Sequence, residues 1–375
     1  MKVLLTGATG LLGSVLLHDL LSARHDVVVL ARSRNGVPPT SRVLSILAAL
    51  GTETDPEGLR VVDGGAERLG AELACSGPPD AVVHAAAAVK FSSSAEELLS
   101  SNVECTRELL LALDASAPGS HFHYISTAYV CGDRVEVSRE DEGDVGQGFR
   151  HPYERSKLIA EAVVRDACSR AGRPFTVYRP SIIMGSSRDG VSANFNGFAQ
   201  FLKVLDLRSR RGGRDAALAV RIPCAAGATK NIVPVDWVAS SLRRFVEEPR
   251  PGATYHLTHP HPPTHAFIRE VLRDILGCEI EIVGEPSRAA RSEDASRASI
   301  ESVLRRFEPY LQGEPTFDRT GLERDLPHGA EPPPVNPAYL ERAILFGRRV
   351  GWRSRPLEGQ ASSIAAPSTK EESHA

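Results

Sequence analysis

The first half of the chain switches repeatedly between two hydrophobic periods. Val3, Leu4 and Leu5 form a short apolar run, followed by a glycine-rich turn and then by Leu12, Val15, Leu16 and Leu20 at helical spacing. Residues 27–30 are a second apolar run, and 41–50 predict a helix with Gly51 at the position after its end, where glycine supplies the left-handed turn. Residues 59–62 and 81–84 predict two more strands. Ser94 and Glu97 have the spacing of a capping box, ahead of one long helix reaching about residue 115. Residues 121–125 predict a fifth strand, 153–170 a helix closed by Gly172, and 175–178 a sixth strand. Strands alternating with helices in this way predict an α/β fold with a doubly wound parallel sheet and right-handed crossovers.

After Pro180 the rhythm changes. Residues 195–207 predict a helix, 208–214 a basic loop, and 231–248 a strand and helix returning to the sheet. Residues 251–353 mix short strands, a helix over 264–276 and proline-rich connections. The pattern divides the chain into a dinucleotide-binding domain (1–180 and 230–250), a smaller substrate-binding lobe built from insertions (181–229 and 251–353) and a disordered tail (354–375) rich in Ser, Ala, Glu and Lys.

Composition narrows the class of protein without choosing among functions. Of 375 residues, 42% are hydrophobic and 24% charged, which excludes a fibrous chain and wholesale disorder. The 44 basic and 47 acidic side chains leave a net charge of −3, which gives no reason to expect nucleic acid. No stretch approaches the ~18 apolar residues of a membrane span, and the opening run is broken too early for a secretory leader. Six dispersed cysteines without a C-x-x-C pair fit a reducing compartment and predict a cytoplasmic protein with no metal centre.

Candidate chemistry begins at the first turn. Gly7-x-x-Gly10-x-x-Gly13 lies between the first strand and first helix, where glycines let a pyrophosphate approach a helix N-terminus, so a Rossmann-type dinucleotide site is expected. Thr9 and Leu11 lie within the same turn. The second strand ends Leu30-Ala31-Arg32-Ser33 without the carboxylate that would hold a ribose 2′-hydroxyl. Arg32, with Arg42 on the next helix, suits a 2′-phosphate, so NADP(H) is expected over NAD(H); both are also ordinary surface arginines.

Tyr153 and Lys157 stand four apart on a predicted helix, hence on one face. An ammonium about 4 Å from a phenol is worth about 4 kcal/mol at an effective dielectric near 20, enough to bring the phenol toward neutral pH. Thr127, beyond the fifth strand, lies at the sheet edge where ligands of such folds bind, and its hydroxyl suits a substrate carbonyl or a turn cap.

Together these residues resemble the extended short-chain dehydrogenase/reductase superfamily from Lys2 to about Trp352. The stretches His84-Ala85-Ala86-Ala87-Ala88-Val89-Lys90-Phe91, Ser126-Thr127-Ala128-Tyr129-Val130, Arg179-Pro180-Ser181-Ile182-Ile183-Met184-Gly185 and Val233-Pro234-Val235-Asp236-Trp237-Val238-Ala239 resemble its branch of fatty acyl-CoA reductases and thioester reductase domains. The resemblance implies Thr127, Tyr153 and Lys157 as the catalytic triad and Gly7, Gly10 and Gly13 as the phosphate loop. It implies Arg32 as the 2′-phosphate contact, with Ala86, Pro180 and Ile182 as further cofactor neighbours.

Two positions depart from the branch. Gly64-Gly65 stands where Gly-Asp is usual, leaving Asp63 as a substitute for the adenine contact. Cys105 occupies a position often held by glycine and reads as a small buried helix residue. The resemblance implies a stand-alone NADPH-dependent reductase of an acyl thioester, presented by CoA or an acyl carrier protein, giving an aldehyde or an alcohol. The alternatives are a ketone or aldehyde reductase or hydroxysteroid-type dehydrogenase with the same triad. A sugar-nucleotide epimerase, or a non-enzymatic dinucleotide-binding protein, fits the residues less well.

Overall fold

A computed structural model describes residues 1–52, 56–89, 93–211, 220–277, 279–283 and 308–353. The tail expected at 354–375, together with Lys90, Phe91 and Arg214, lies outside the described residues.

Seven parallel strands form the main sheet: β1 (Lys2–Thr6), β2 (Asp26–Ala31), β3 (Leu59–Asp63), β4 (Ala81–His84), β5 (His121–Ile125), β6 (Phe175–Pro180) and β10 (Thr254–Leu257). They lie in the order β10-β6-β5-β4-β1-β2-β3. β4 and β5 are buried at every position, as strands covered by helices on both faces must be; β4 does so with Ala81, Val82 and Val83, whereas β5 buries His121 and His123 among its apolar residues. The chain leaves β1 toward β2 and β3, then crosses back to β4 on the other side of β1. That reversal opens a crevice beyond the carboxyl ends of β1 and β4, where ligands of doubly wound sheets bind.

On one face lie α1 (Leu11–Ser22), α2 (Pro39–Ala49) and α8 (Val235–Glu247); Leu16, Leu20, Val238 and Leu242 share a core there. On the other face α3 (Leu69–Ser76), α5 (Cys105–Ser116) and α6 (Pro152–Ala171) bury Leu69, Leu113, Ala160 and Val164. A third core belongs to the smaller lobe. It joins α7 (Phe198–Arg211), α9 (His265–Leu276) and the helix Pro337–Arg349 through Leu202, Leu205, Leu272 and Ile344. Trp352 seals this core, its indole donating to buried Asp206 at 2.8 Å.

Several sequence expectations need correction. The expected single helix over 94–115 begins with the capping box of Ser94 and Glu97 but is interrupted by a π-turn at Ser100–Glu104, between α4 (Ala95–Leu99) and α5. Cys105 is half-buried rather than buried. The strand before α8, β9 (Ile232–Pro234), pairs with β7 (Ile182–Met184) in a separate two-stranded sheet instead of returning to the main one. The strand that does join it is β10, inside the segment assigned to the lobe, and it pairs in parallel with β6. The basic residues Arg208, Arg210 and Arg211 belong to the last turn of α7, not to a loop. Cations there face the negative end of the helix dipole, which favours continuing the helix through them. β8 (Val220–Pro223) and β11 (Ile280–Val283) complete the lobe as a small parallel pair.

Candidate active site

The turn after β1 is built for close approach. Gly7 has φ +78°, and a Cβ there would fall 2.6 Å from the Ala85 carbonyl carbon and the Ala86 nitrogen. A Cβ on Gly13 would fall 2.2 Å from the Gly7 oxygen. Both positions therefore require glycine, one for conformation and contact, the other for contact alone. The Gly10 N–H donates to the Gly7 carbonyl at 2.8 Å, and Gly10 caps α1 with no side-chain bond to the first helical N–H groups. An uncapped helix N-terminus behind a glycine turn is a ready anion site, and this cradle fits a dinucleotide pyrophosphate. Thr6 ties the far wall to the turn: its hydroxyl meets His84 Nδ1 at 2.7 Å and accepts from the Ala86 N–H at 3.3 Å. His84 also meets the Thr106 hydroxyl at 2.9 Å, and burial holds its pKa down to about 3. It is a neutral structural strut.

Beyond β2 the Arg32 side chain is exposed, and Ala31 offers no carboxylate. Arg42 is buried; it donates to the Arg32 carbonyl at 2.8 Å and to the Thr9 hydroxyl at 3.1 Å. It thus braces the phosphate turn against the end of β2, beside Arg32. Asp63, the substitute adenine contact, is engaged locally. Its carboxylate accepts from the Ser33 N–H at 2.9 Å and the Ser33 hydroxyl at 2.5 Å, bonds that hold its pKa below the ordinary carboxylate range.

Tyr153 and Lys157 share a face of α6, whose start is fixed by His151 accepting from the Tyr153 N–H at 3.1 Å. Lys157 is almost wholly buried; its ammonium donates to the Ile125 carbonyl at 2.7 Å and lies 4.2 Å from the Tyr124 ring centroid. Burial lowers its pKa to about 7, with Glu161 opposing the shift. Burial, reinforced by Glu154, pushes the Tyr153 phenol above its ordinary value. The expected lowering of Tyr153 by Lys157 is therefore not what this geometry produces. Thr127, also buried, donates to the Pro180 carbonyl at 3.4 Å and accepts from the Tyr129 N–H at 3.3 Å. It is a turn cap, and the length of both bonds leaves its hydroxyl weakly committed. Ile182 follows at the start of β7, half-buried.

Two supports escaped the sequence reading. Asn102, in the π-turn, accepts from the Ala88 N–H at 2.7 Å and donates to the Ala88 carbonyl at 3.1 Å and the Ser156 hydroxyl at 3.0 Å. It clamps the loop after β4 to α6. The signal was present in Asn102-Val103-Glu104-Cys105-Thr106, which was read only for its cysteine. Glu161, one turn past Lys157, forms a buried pair with Arg179 at 2.7 Å that locks α6 to β6.

A glycine cradle at the switch point, with a tyrosine–lysine pair and a threonine hydroxyl at the adjoining strand ends, defines a nicotinamide dinucleotide-binding protein of the oxidoreductase type. Residues 5–242 match the NAD-binding family described as male sterility protein, and the chain belongs to that family, within the thioester reductase-like branch of the extended short-chain dehydrogenases/reductases.

The chain is 26% identical to the terminal R domain of the myxalamid PKS-NRPS pathway, covering 95% of this chain and 92% of that one with a TM-score of 0.75. It is 26% identical to glycine betaine reductase ATRR of Emericella nidulans across 94% of its own length, yet spans only 29% of that protein. A UDP-glucuronic acid 4-epimerase from Bacillus cereus in complex with NAD shares the fold at 17% identity and a TM-score of 0.67, with 93% of this chain and 97% of that one covered. No helix among the described residues is long and apolar enough to cross a membrane.

Proposed function

We propose that the protein is an NADPH-dependent reductase that converts an acyl thioester, delivered on CoA or a carrier protein, to an aldehyde. The observation that carries this reading is the set of Thr127 at the end of β5 and the Tyr153–Lys157 pair on α6, with Lys157 bonded to the end of β5, in a chain that is 26% identical over nearly its full length to a terminal R domain. Gly7, Gly10 and Gly13, with Thr9 and Leu11, hold the pyrophosphate. Ala86, Pro180 and Ile182 border the nicotinamide half, and Arg32, set in place by Arg42, binds the 2′-phosphate. Bound NADPH supplies the hydride of the reduction.

Tyr153 and Thr127 donate hydrogen bonds to the carbonyl oxygen as charge develops on it, the interaction that strengthens most in the transition state. A phenol whose pKa is pushed up by burial is a neutral donor at physiological pH and gives up its proton only to a strong base such as this alkoxide. Lys157 fixes the end of β5 through Ile125 and, from the face of α6 that carries Tyr153, holds the nicotinamide ribose. The resulting hemithioacetal then releases the thiol and the aldehyde. Arg208 and Arg210, at the end of α7, give the lobe a positive face for an acidic carrier or a CoA phosphate.

A matched panel tests this: NADPH consumption with an acyl-CoA, the corresponding aldehyde and the corresponding methyl ketone. Turnover of the thioester with release of free thiol supports the proposal; turnover of the ketone alone favours the ketone reductase.

A further inference from the structure

Residues 308–317 cross from the smaller lobe to the catalytic elements as a strap. One end enters the lobe core through Leu311. The other pairs with residue 138: the Ser138 N–H donates to the Thr316 carbonyl at 2.9 Å, and Phe317 packs on Ala128 and Cys131. Between them Glu314 is a latch. Its side chain is almost fully buried and accepts three bonds: from the Tyr129 phenol at 2.5 Å, the Lys230 ammonium at 2.7 Å and the Asn231 N–H at 2.5 Å. The three donors come from the turn that carries Thr127 and from the segment entering β9. The same Lys230 ammonium donates to the Tyr310 carbonyl, so the latch also fixes the backbone of Tyr310.

Tyr310 is what the latch holds against the site. Its ring meets that of Tyr129 edge-on, with centroids 5.9 Å apart. Its phenol bonds to the carboxyl of Glu154, next in sequence to Tyr153, and Tyr153 lies close enough to add to the groups that disfavour the ionisation of Tyr310. On the reductase reading, a carbonyl bonded to Tyr153 would bring one of its substituents toward the Tyr310 ring. Neither Tyr310 nor Glu314 was singled out in the sequence.

We infer that Tyr310 is the specificity-determining wall that limits the bulk of the group attached to the substrate carbonyl, and that Glu314 is the positioning residue that holds it there. The inference rests on the reductase reading. A latch bonded from three directions holds the backbone of Tyr310, and the ring it carries sets the space beside Tyr153. Removing the ring, or releasing the latch, opens the same space.

The experiment is a selectivity ratio: kcat/KM for benzoyl-CoA divided by kcat/KM for acetyl-CoA, with NADPH affinity and thermal midpoint measured alongside. Tyr310→Ala is expected to raise the ratio by at least tenfold with NADPH affinity within twofold of the parent. Tyr310→Phe keeps the ring and is expected to leave the ratio within twofold. Glu314→Gln is expected to shift the ratio in the direction of Tyr310→Ala. The Tyr310→Ala, Glu314→Gln double variant is expected to match Tyr310→Ala, because the latch acts through the ring. A general loosening of the lobe would lower both kcat/KM values together and would add in the double variant; that result overturns the inference, as does an unchanged ratio in Tyr310→Ala. If the parent turns over aldehydes and not thioesters, the reductase reading fails in its substrate class, and the same ratio is read on benzaldehyde against acetaldehyde. Turnover of neither overturns both.

Discussion

The most consequential single side chain is Lys157, an ammonium with almost no exposed surface. Its pKa is about 7 in the folded protein against an ordinary 10.5. Between those values the unfolded chain holds a proton that the folded one has released, so this group makes stability rise with pH across that window. Its contribution is complete above the unfolded value and lost as pH falls to about 7. Lys157→Met removes the slope. The stability of this variant relative to the parent is expected to be greatest near pH 7 and to decline toward pH 10, which urea denaturation at a series of pH values checks.

Arg32 carries the second residue-scale prediction. On the proposed reading, replacing it with alanine removes a charge-assisted phosphate contact worth about 1.5–3 kcal/mol, so the preference for NADPH over NADH is expected to fall about tenfold or more. Equal binding of the two cofactors by the unaltered protein would remove the basis for NADPH. The sequence showed both residues, but it did not show how they are used. That Lys157 reaches the Ile125 carbonyl, that Arg42 reaches Thr9, and that Asp63 is engaged by Ser33 are facts of side-chain reach across elements.

At the level of elements, the phosphate turn depends on two backbones in near contact. A Cβ at Gly13 would meet the Gly7 carbonyl and the Ala8 nitrogen, which are backbone and cannot rotate away. Gly13→Ala must push α1 from β1. It is expected to cost about 1–3 kcal/mol and to weaken dinucleotide binding by tenfold or more. Gly119→Ala, with open space around it, is expected to change stability by less than about 0.5 kcal/mol. Chemical denaturation and NADPH titration of the two variants separate contact from propensity.

Elements with strong local signals were legible: β1 and β4 by their short apolar runs, α6 by its period and its closing Gly172. α3 was missed because it has only eight residues with Gly70 near its start, too short for a period to emerge. β10 was misassigned because four residues between turns look alike whether they join a seven-stranded sheet or a lobe. The π-turn at Asn102 leaves no periodic trace, since one extra residue per turn is within the scatter of any short amphipathic pattern.

Over the whole molecule, the domain half of the chain was far more legible than the lobe. The lobe is assembled from segments far apart in sequence: β8 pairs with β11, Asp206 with Arg348 and Trp352, and Tyr129 with Glu314 across 185 positions. No local pattern encodes such pairs. On the proposed reading the lobe supplies the substrate side of the cleft, and Arg208 and Arg210 make a prediction of their own. Reversing both charges is expected to raise KM for a carrier-bound or CoA thioester several-fold while leaving kcat and the turnover of a small free aldehyde unchanged. The effect should fade as salt rises, because the Debye length at 0.15 M is ~8 Å. Steady-state kinetics at low and high salt check it; unchanged thioester kinetics at low salt would take the docking role away from α7.

The central claim is that Tyr153 donates the proton in reduction of a thioester carbonyl on this scaffold. Its most direct test is NADPH consumption with an acyl-CoA, followed together with free thiol and aldehyde, in the unaltered protein and in Tyr153→Phe, with NADPH affinity measured on both. The account predicts thiol and aldehyde released with NADPH consumption by the unaltered protein, and turnover reduced by ~10²-fold or more in Tyr153→Phe at near-normal NADPH affinity. A Tyr153→Phe protein that reduces the thioester at nearly the parent rate would contradict it.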